Sequence, residues 1–525
     1  MSSMNSGRFL SPAIPWSQAL RTLASRFGGA AAFNDGANVL GYGELSVRAH
    51  ALAHLLYERG IGHGTEVATL LPNGLAAAWV SYGLKLAGLA ETPMNFGYTG
   101  QEIAWSARVA RFRLVITNRQ RESDVREQNL DALRVEDVAP ADPGRNFDPV
   151  PADVPGRILF TSGTTGFPKA AVYTHGRRWV GEQLLKATLP FVPKRGERIL
   201  LMTPFTHGAS LLAFAWCDYG GEVLLLNGVY AEPIRNWLGS GSVSAIFAPP
   251  TMLAKLATVL ERRRYQGVRC VFTGTQPLTA SVYETAAAMF GPVVRVTFGK
   301  TECINPITVL DGHESAELYS RLLSGLGTCV GWPAPGVEVH IDGRAGEQDD
   351  AGAAEGEVWL RAQQMSNGML SVEGFTPHEP QGWHRTGDQG YIDAQGRLWL
   401  TGRLADVIKT GGYRVNPDEI EWVLAEGSAA GGIVVTSIPS DYWGEVIVAV
   451  AENPDPGWED AARACARKLS RHKQPRIYAI LRDFPRNAQG KVNRRKLREL
   501  VLATGTYKDG PYPELVPDHE VTSGQ

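Results

Sequence analysis

Apolar residues recur at helical spacing over residues 46–57 and 76–86, while short β-like runs occupy 66–71 and 114–117. This alternation predicts an α/β rhythm from Trp16 to about Thr117. Residues 119–147 are polar and charged, with Pro-Ala-Asp-Pro near their end, and read as a surface connection rather than a core element. The rhythm resumes after residue 170. Strands are predicted at 198–203, 223–226, 244–248, 268–273 and 293–298, with an apolar segment at 211–217, a helix start at 234–238, and helices at 251–262 and 280–290. Repeated strand–helix alternation implies stacked layers with largely parallel sheets.

Beyond residue 325 the strands shorten, at 337–341, 356–360 and 390–392. Asp393-Ala394-Gln395-Gly396 then leads into 397–400, which reads as a hairpin in a β-rich subdomain. The boundary is placed at Arg403, dividing the chain into 1–402 and 403–525. In the second part, 406–415 reads as two strands joined through Thr410-Gly411-Gly412. Asn416-Pro417-Asp418-Glu419 has the form of a cap, a proline at the first helical position and an acid three residues after the cap. The expected fold is therefore α/β: a large N-terminal domain of stacked, largely parallel sheets with a β-rich subdomain, plus a small mobile C-terminal α/β domain. Residues 507–525, rich in proline, glycine and charge, read as a loose tail.

Composition narrows the classes. A chain of 525 residues with 44% apolar content suits a soluble globular protein of two or more domains. A net charge of −2 leaves no electrostatic footprint for nucleic acid. No run approaches about 18 uninterrupted apolar residues, and the N-terminus lacks a signal pattern, so cytoplasm is the expected location. The five cysteines are far apart and show no C-x-x-C spacing, which suggests neither a disulfide framework nor a zinc site.

Residues 158–170, ILFTSGTTGFPKA, turn an apolar run into hydroxyls, glycines and a lysine, the ingredients of a phosphate cradle. The loop is not a Walker loop, because Pro168 stands five places after Gly163 and Ala170 follows Lys169. Read alone, it is also compatible with an ordinary glycine-rich turn. However, Thr161-Ser162-Gly163-Thr164-Thr165-Gly166-Phe167-Pro168-Lys169 resembles, without a gap, the signature loop of the AMP-forming adenylating superfamily. That group comprises acyl-CoA synthetases, peptide-synthetase adenylation domains and luciferases, and this chain looks closest to acyl- or aryl-CoA ligases. The resemblance runs from about Trp16 to Leu500, with further motifs in the family's order.

The resemblance implies roles for particular residues. Thr161, Ser162, Gly163, Thr164, Thr165, Gly166 and Lys169 would clamp the departing pyrophosphate. His207 and Gly208, in Pro204-Phe205-Thr206-His207-Gly208, match the segment that gates the acyl pocket, and Pro250 lies on the same side. Gly274, Thr275 and Gln276 match the turn under adenine and beside the acyl site, where the family usually carries smaller residues. In Phe298-Gly299-Lys300-Thr301-Glu302, the aromatic would stack on adenine, Thr301 would reach the α-phosphate and Glu302 would hold Mg²⁺, a cation that suits a hard carboxylate plus phosphate oxygens. Asp388, in Trp383-His384-Arg385-Thr386-Gly387-Asp388, would accept hydrogen bonds from the ribose hydroxyls, and Arg403 would also bind ribose. Lys491 would deliver the adenylation charge, and the hairpin around Gly412 would face the second nucleophile. The hinge position is Ala405, where the family usually has Asp or Lys; Asp406 is adjacent.

The implied activity is ATP- and Mg²⁺-dependent conversion of an apolar or aryl carboxylic acid to an acyl-adenylate, followed by transfer to a nucleophile. Coenzyme A is the favoured co-substrate. An amide synthetase using an amine, with His207 as base, is the alternative within the superfamily. The contrasting class is a catalytically silent nucleotide-binding or sensor protein, against which the joint presence of Lys491, Glu302 and Asp388 argues.

Overall fold

The computed structural model describes residues 13–161, 169–206, 208–261, 263–274, 276–320, 327–343, 355–379, 382–425, 432–486 and 491–517. Two large sheets dominate. One has eight strands in the order Gly374–Pro377, Gly368–Ser371, Ala170–Thr174, Pro155–Phe160, Ala90–Pro93, Glu66–Leu70, Leu114–Thr117, Asp131–Arg134. Its five strands from Pro155–Phe160 to Asp131–Arg134 run parallel, and the other three are antiparallel. The seven-stranded sheet runs Val294–Thr297, Cys270–Gly274, Val243–Phe247, Arg198–Leu201, Glu222–Leu225, Ala31–Asn34, Val39–Gly41. All its pairs are parallel except the last.

Strands such as Arg198–Leu201 are continuous apolar runs because helices cover both faces of the sheet. On one face Ile199, Leu201 and Val223 pack with Tyr42, Leu52, Trp79 and Phe214 of the intervening helices, in a core that also takes Val67 and Ile116 from the other sheet. On the opposite face Leu200, Ile246 and Val271 meet the helices Pro250–Val259 and Ala280–Phe290.

An antiparallel six-stranded sheet follows, in the order Thr308–Val309, Thr328–Pro333, Leu398–Arg403, His384–Ile392, Gly356–Ala362, Val337–Asp342. Its 393–396 turn closes as the sequence predicts: the Asp393 N–H donates to the Arg397 carbonyl at 3.0 Å and the Gly396 N–H to the Asp393 carbonyl at 2.8 Å. From residue 408 onward the chain builds another sheet around Gly444–Glu452, with two core clusters drawn wholly from these later residues. The predicted strand pair is Ile408–Thr410 with Tyr413–Val415. Asn416 Oδ1 accepts the Asp418 N–H at 3.1 Å to start the helix Pro417–Ala425, while Glu419 pairs with Lys473 at 2.6 Å.

Two segments differ from the sequence reading. Residues 119–147 contain the edge strand Asp131–Arg134 and the short helix Glu122–Arg126. Each buries one apolar side chain, Leu133 and Val125, too few to register as a period. The described part of the tail, to Pro517, forms a hairpin, Gly505–Lys508 with Glu514–Pro517. Tyr507 and Leu515 pack on the C-terminal core, and Asp509 accepts from Ser440 Oγ at 2.6 Å and the Asp441 N–H at 2.7 Å. The five cysteines are buried with free thiols. Among the described residues, no helix is long and apolar enough to cross a membrane.

Candidate active site

The site forms where strands Cys270–Gly274 and Val294–Thr297 end side by side, with Gly274 opposite Thr297. A Cβ on Gly274 would lie 2.3 Å from the Thr297 carbonyl oxygen, so the close approach of the two backbones demands glycine. The next residues, 298–302, are stapled from three sides. The Phe298 N–H donates to Thr308 Oγ1 at 3.0 Å, the Tyr173 hydroxyl donates to the Thr301 carbonyl at 2.6 Å, and the Ser366 N–H donates to the Glu302 carbonyl at 2.8 Å. This makes 298–302 a rigid ledge rather than a free loop, with Phe298 buried.

A second group comes from neighbouring strands of the six-stranded sheet, which place Asp388 opposite Arg403. Thr386 Oγ1 donates to the Val358 carbonyl at 2.6 Å and accepts the Asp388 N–H at 3.0 Å, which fixes the turn before the carboxylate. Asp388 is only 7% exposed, and a different cation holds each of its oxygens: Lys300 Nζ lies 3.0 Å from Oδ2 and Arg403 Nε 3.2 Å from Oδ1. Lys300 Nζ also donates to the Thr386 carbonyl at 2.6 Å. Pairing of this kind is required when a carboxylate and an ammonium leave water together.

Lys491 completes the cleft, whose volume is about 2010 Å³ and whose walls include Gln276, Phe298, Gly299, Asp388 and Arg403. Burial pushes the Lys491 amine down to about 8; Arg403 and Lys300 push the same way, while Asp388 and Glu302 oppose them. Pro250 and Ala405 also line this cleft, whereas Gly208 and Gly412 lie outside its walls. Gly208 opens the helix Gly208–Asp218 with its Cα turned to Phe247. Gly411 and Gly412 form a positive-φ turn, at 56° and 84°, against Trp443, and the adjoining Tyr413 ring stacks on His472 at 4.2 Å.

At the ends of the glycine-rich segment 161–169 the described residues Thr161 and Lys169 are joined. The Thr161 N–H and Oγ1 both donate to the Lys169 carbonyl, at 2.8 and 3.3 Å. Ser162, Gly163, Thr164, Thr165, Gly166, His207 and Thr275 lie outside the described residues.

The structure adds groups that the motifs did not single out. His378 and His384 face one another with ring centroids 5.0 Å apart, and His378 Nε2 meets Ser366 Oγ at 2.7 Å. Burial pushes His384 down to about 4, against the opposing field of Glu302, and lowers His378 as well. His384 stands inside the Trp383–Asp388 motif, but nothing in a lone histidine signals a partner. Arg494 is the other addition. Its guanidinium reaches Asp406 at 2.9 Å, Asp418 at 2.5 Å and Glu421 at 2.7 Å, and donates to the Val435 carbonyl at 3.2 Å. Asp406 is therefore fastened to the later elements, while Ala405 sits in the single turn Leu404–Asp406.

Comparison with known sequences decides the family: a profile of the AMP-binding enzyme family matches residues 20–370. The chain belongs to the AMP-binding enzyme family. This AMP-binding enzyme is 28% identical over 451 residues to a 2-succinylbenzoate–CoA ligase of Bacillus cereus, covering 84% of this chain and 90% of that one. A 2-succinylbenzoate–CoA ligase of Bacillus mycoides matches at 28% over 452 residues, with the same coverage of 84% and 90%. Solved structures share the fold. The o-succinylbenzoate-CoA synthetase of Bacillus subtilis, in complex with its acyl-adenylate intermediate, superimposes with a TM-score of 0.79 at 23% identity, covering 96% of this chain and 99% of that one. ATP-bound MatB of Rhodopseudomonas palustris gives 0.79 at 22% identity, covering 92% and 98%. The AMP-binding enzyme is thus an AMP-forming ligase with the α/β architecture expected of an adenylating enzyme.

Proposed function

We propose that this enzyme uses ATP to convert an apolar or aryl carboxylic acid to an acyl-adenylate and then transfers the acyl group to coenzyme A. The observation that carries this reading is the convergence of Asp388, Arg403 and Lys491 on one cleft beside Phe298, with Lys300 paired to Asp388 behind it. The CoA ligases among its relatives support the acceptor. No observation favours an amine acceptor.

A carboxylate with a pKa of about 4 to 5 is ionised at neutral pH, so attack on the α-phosphorus needs no base. The obstacle is repulsion between anions, and catalysis consists of positioning and charge neutralisation. Asp388 accepts the ribose hydroxyls, Phe298 stacks on the adenine and Lys491 bridges the carboxylate and the α-phosphate. A carboxylate oxygen bonds to the α-phosphorus while the bond to the bridging oxygen breaks, and pyrophosphate departs toward the Thr161–Lys169 loop.

The donor set suits Mg²⁺. Among the described residues no group of three or more His, Cys, Asp or Glu side chains forms a ready cage, so a hard cation on Glu302 would draw its remaining ligands from phosphate and water. When bound, it would neutralise charge on the polyphosphate. In the second step the part of the C-terminal domain beyond Ala405 turns about that residue, withdrawing Lys491 and bringing the Gly412 hairpin to the site. The CoA thiol gives up its proton to solvent, its sulfur bonds to the acyl carbon, and AMP leaves with the pair from the broken acyl–oxygen bond. His207 gates the acyl side. Placement in the cytoplasm fits these soluble substrates.

The test is a screen of carboxylic acids for acid-dependent pyrophosphate release, repeated with CoA and with simple amines, with products read by mass. Acid-dependent release with an acyl-CoA product is expected. Amides formed in preference to thioesters would refute the acceptor assignment, and no release with any acid would refute adenylation.

A further inference from the structure

We propose that Lys300 is a positioning and specificity-determining residue: it aims the Asp388 carboxylate at the ribose and remains, with Arg403, as a resident cation of the site when Lys491 is withdrawn. This inference rests on the proposed function, since it concerns the same nucleotide cleft.

The geometry argues for it in three steps. A carboxylate that must accept two ribose hydroxyls has to be held at one rotation, and Asp388 is only 7% exposed, so protein groups must hold it. Lys300 on Oδ2 and Arg403 on Oδ1 do so. A carboxylate has about four lone-pair sites, so two remain for the ribose. Lys300 contributes directionally as well as by charge, because its second bond goes to the Thr386 carbonyl, itself fixed through the Thr386 hydroxyl. The ammonium has three donors, and these two bonds leave one for the nucleotide.

The third step concerns motion. Both partners of Lys300, Thr386 and Asp388, lie on the strand His384–Ile392, before the turn Leu404–Asp406. Lys491 lies after that turn, near enough for Lys300 to depress its basicity. A rotation about Ala405 therefore removes one ammonium and leaves the other. With Lys491 gone, the adenylate's phosphate anion would otherwise face the Asp388 and Glu302 carboxylates with less opposing charge. Lys300 offsets that repulsion while CoA attacks.

The experiment compares wild type, Lys300→Met and Lys300→Arg for binding of AMP and of 3′-deoxy-AMP by calorimetry. A parallel arm follows single-turnover consumption of enzyme-bound adenylate by CoA. The expected results for Lys300→Met are a loss of AMP affinity of about 10-fold, the scale of a lost charged hydrogen bond, a collapse of the AMP/3′-deoxy-AMP ratio toward one, and slower adenylate consumption. Lys300→Arg should restore part of the affinity, which distinguishes lost charge from a misfolded ledge. AMP affinity within about 2-fold of wild type with an unchanged ratio in Lys300→Met would overturn the inference alone. Wild-type enzyme that binds no AMP and releases no pyrophosphate with any acid would overturn the proposed function and this inference with it.

Discussion

Raising the pH above 8 is expected to switch off adenylation by removing the proton of Lys491. The amine titrates at about 8 instead of 10.5, so retaining its charge at this buried position costs about 3 kcal/mol relative to a solvated lysine. About nine-tenths of Lys491 is charged at pH 7 and about one-thirtieth at pH 9.5. The lowered value fixes the sign: the charged, active form is present below about 8 and is lost as pH rises through it. The assay is acid-dependent pyrophosphate release without CoA, so that the thiol's own ionisation does not enter. It is read as kcat/KM for ATP, which reports the free enzyme.

Wild type should fall by about 30-fold between pH 7 and 9.5, whereas Lys491→Arg, with a guanidinium that stays charged, should keep a flat profile at a lower level. Two further variants should displace the limb in opposite directions. Lys300→Met removes a cation and should move it to higher pH, and Asp388→Asn removes an anion and should move it to lower pH. A wild-type profile flat to pH 9.5, or displacement of both variants in one direction, would refute the electrostatic account.

Three other outcomes are expected. Lys491→Ala should slow adenylate formation by at least about 100-fold, the scale of losing a preorganised charge, while bound adenylate reacts with CoA at close to the wild-type rate; equal losses in both steps would remove Lys491 from its assigned role. Glu302→Gln should shift the Mg²⁺ titration of pyrophosphate release to higher concentration, and an unshifted curve would exclude Glu302 from the metal. Arg494→Met leaves Asp406, Asp418 and Glu421 facing one another and should cost about 2–4 kcal/mol in urea denaturation. That deficit should be smaller at pH 6 than at pH 8, because Glu421 already titrates at about 7 through burial and takes up a proton as pH falls; a pH-independent deficit would count against a charge origin.

The sheets were legible in the sequence where burial is continuous. Runs such as Ile199–Leu200–Leu201 are fully buried and could be nothing but core. Asp388 and Arg403 were singled out only through the resemblance of their motifs to those of a family; what the structure adds is the hairpin register that sets them opposite one another. Long-range polar pairing was not legible. Resemblance of the Phe298–Glu302 motif implies that Lys300 binds nucleotide, but nothing in the sequence names its partner Asp388, 88 positions away. Arg494 likewise sits in a basic helix whose partners, Asp406, Asp418 and Glu421, belong to another stretch of chain. Such pairs leave no period, since each partner is polar and each could equally face water. The edge strand Asp131–Arg134 was missed because edges have one covered face and few residues with which to show it.

The Arg494 cluster bears on how a turn at Ala405 is transmitted. The residue after the hinge is already bolted to the helix Arg494–Leu502, which starts three positions beyond Lys491, so torsion at 405 has no slack segment in which to dissipate. In the proposed rotation the later elements would act as a crank with Asp406 at its shaft and Lys491 on its arm. An alanine at 405 offers no side-chain hydrogen bond to latch that shaft, so its resting angle would be left to whatever binds in the cleft.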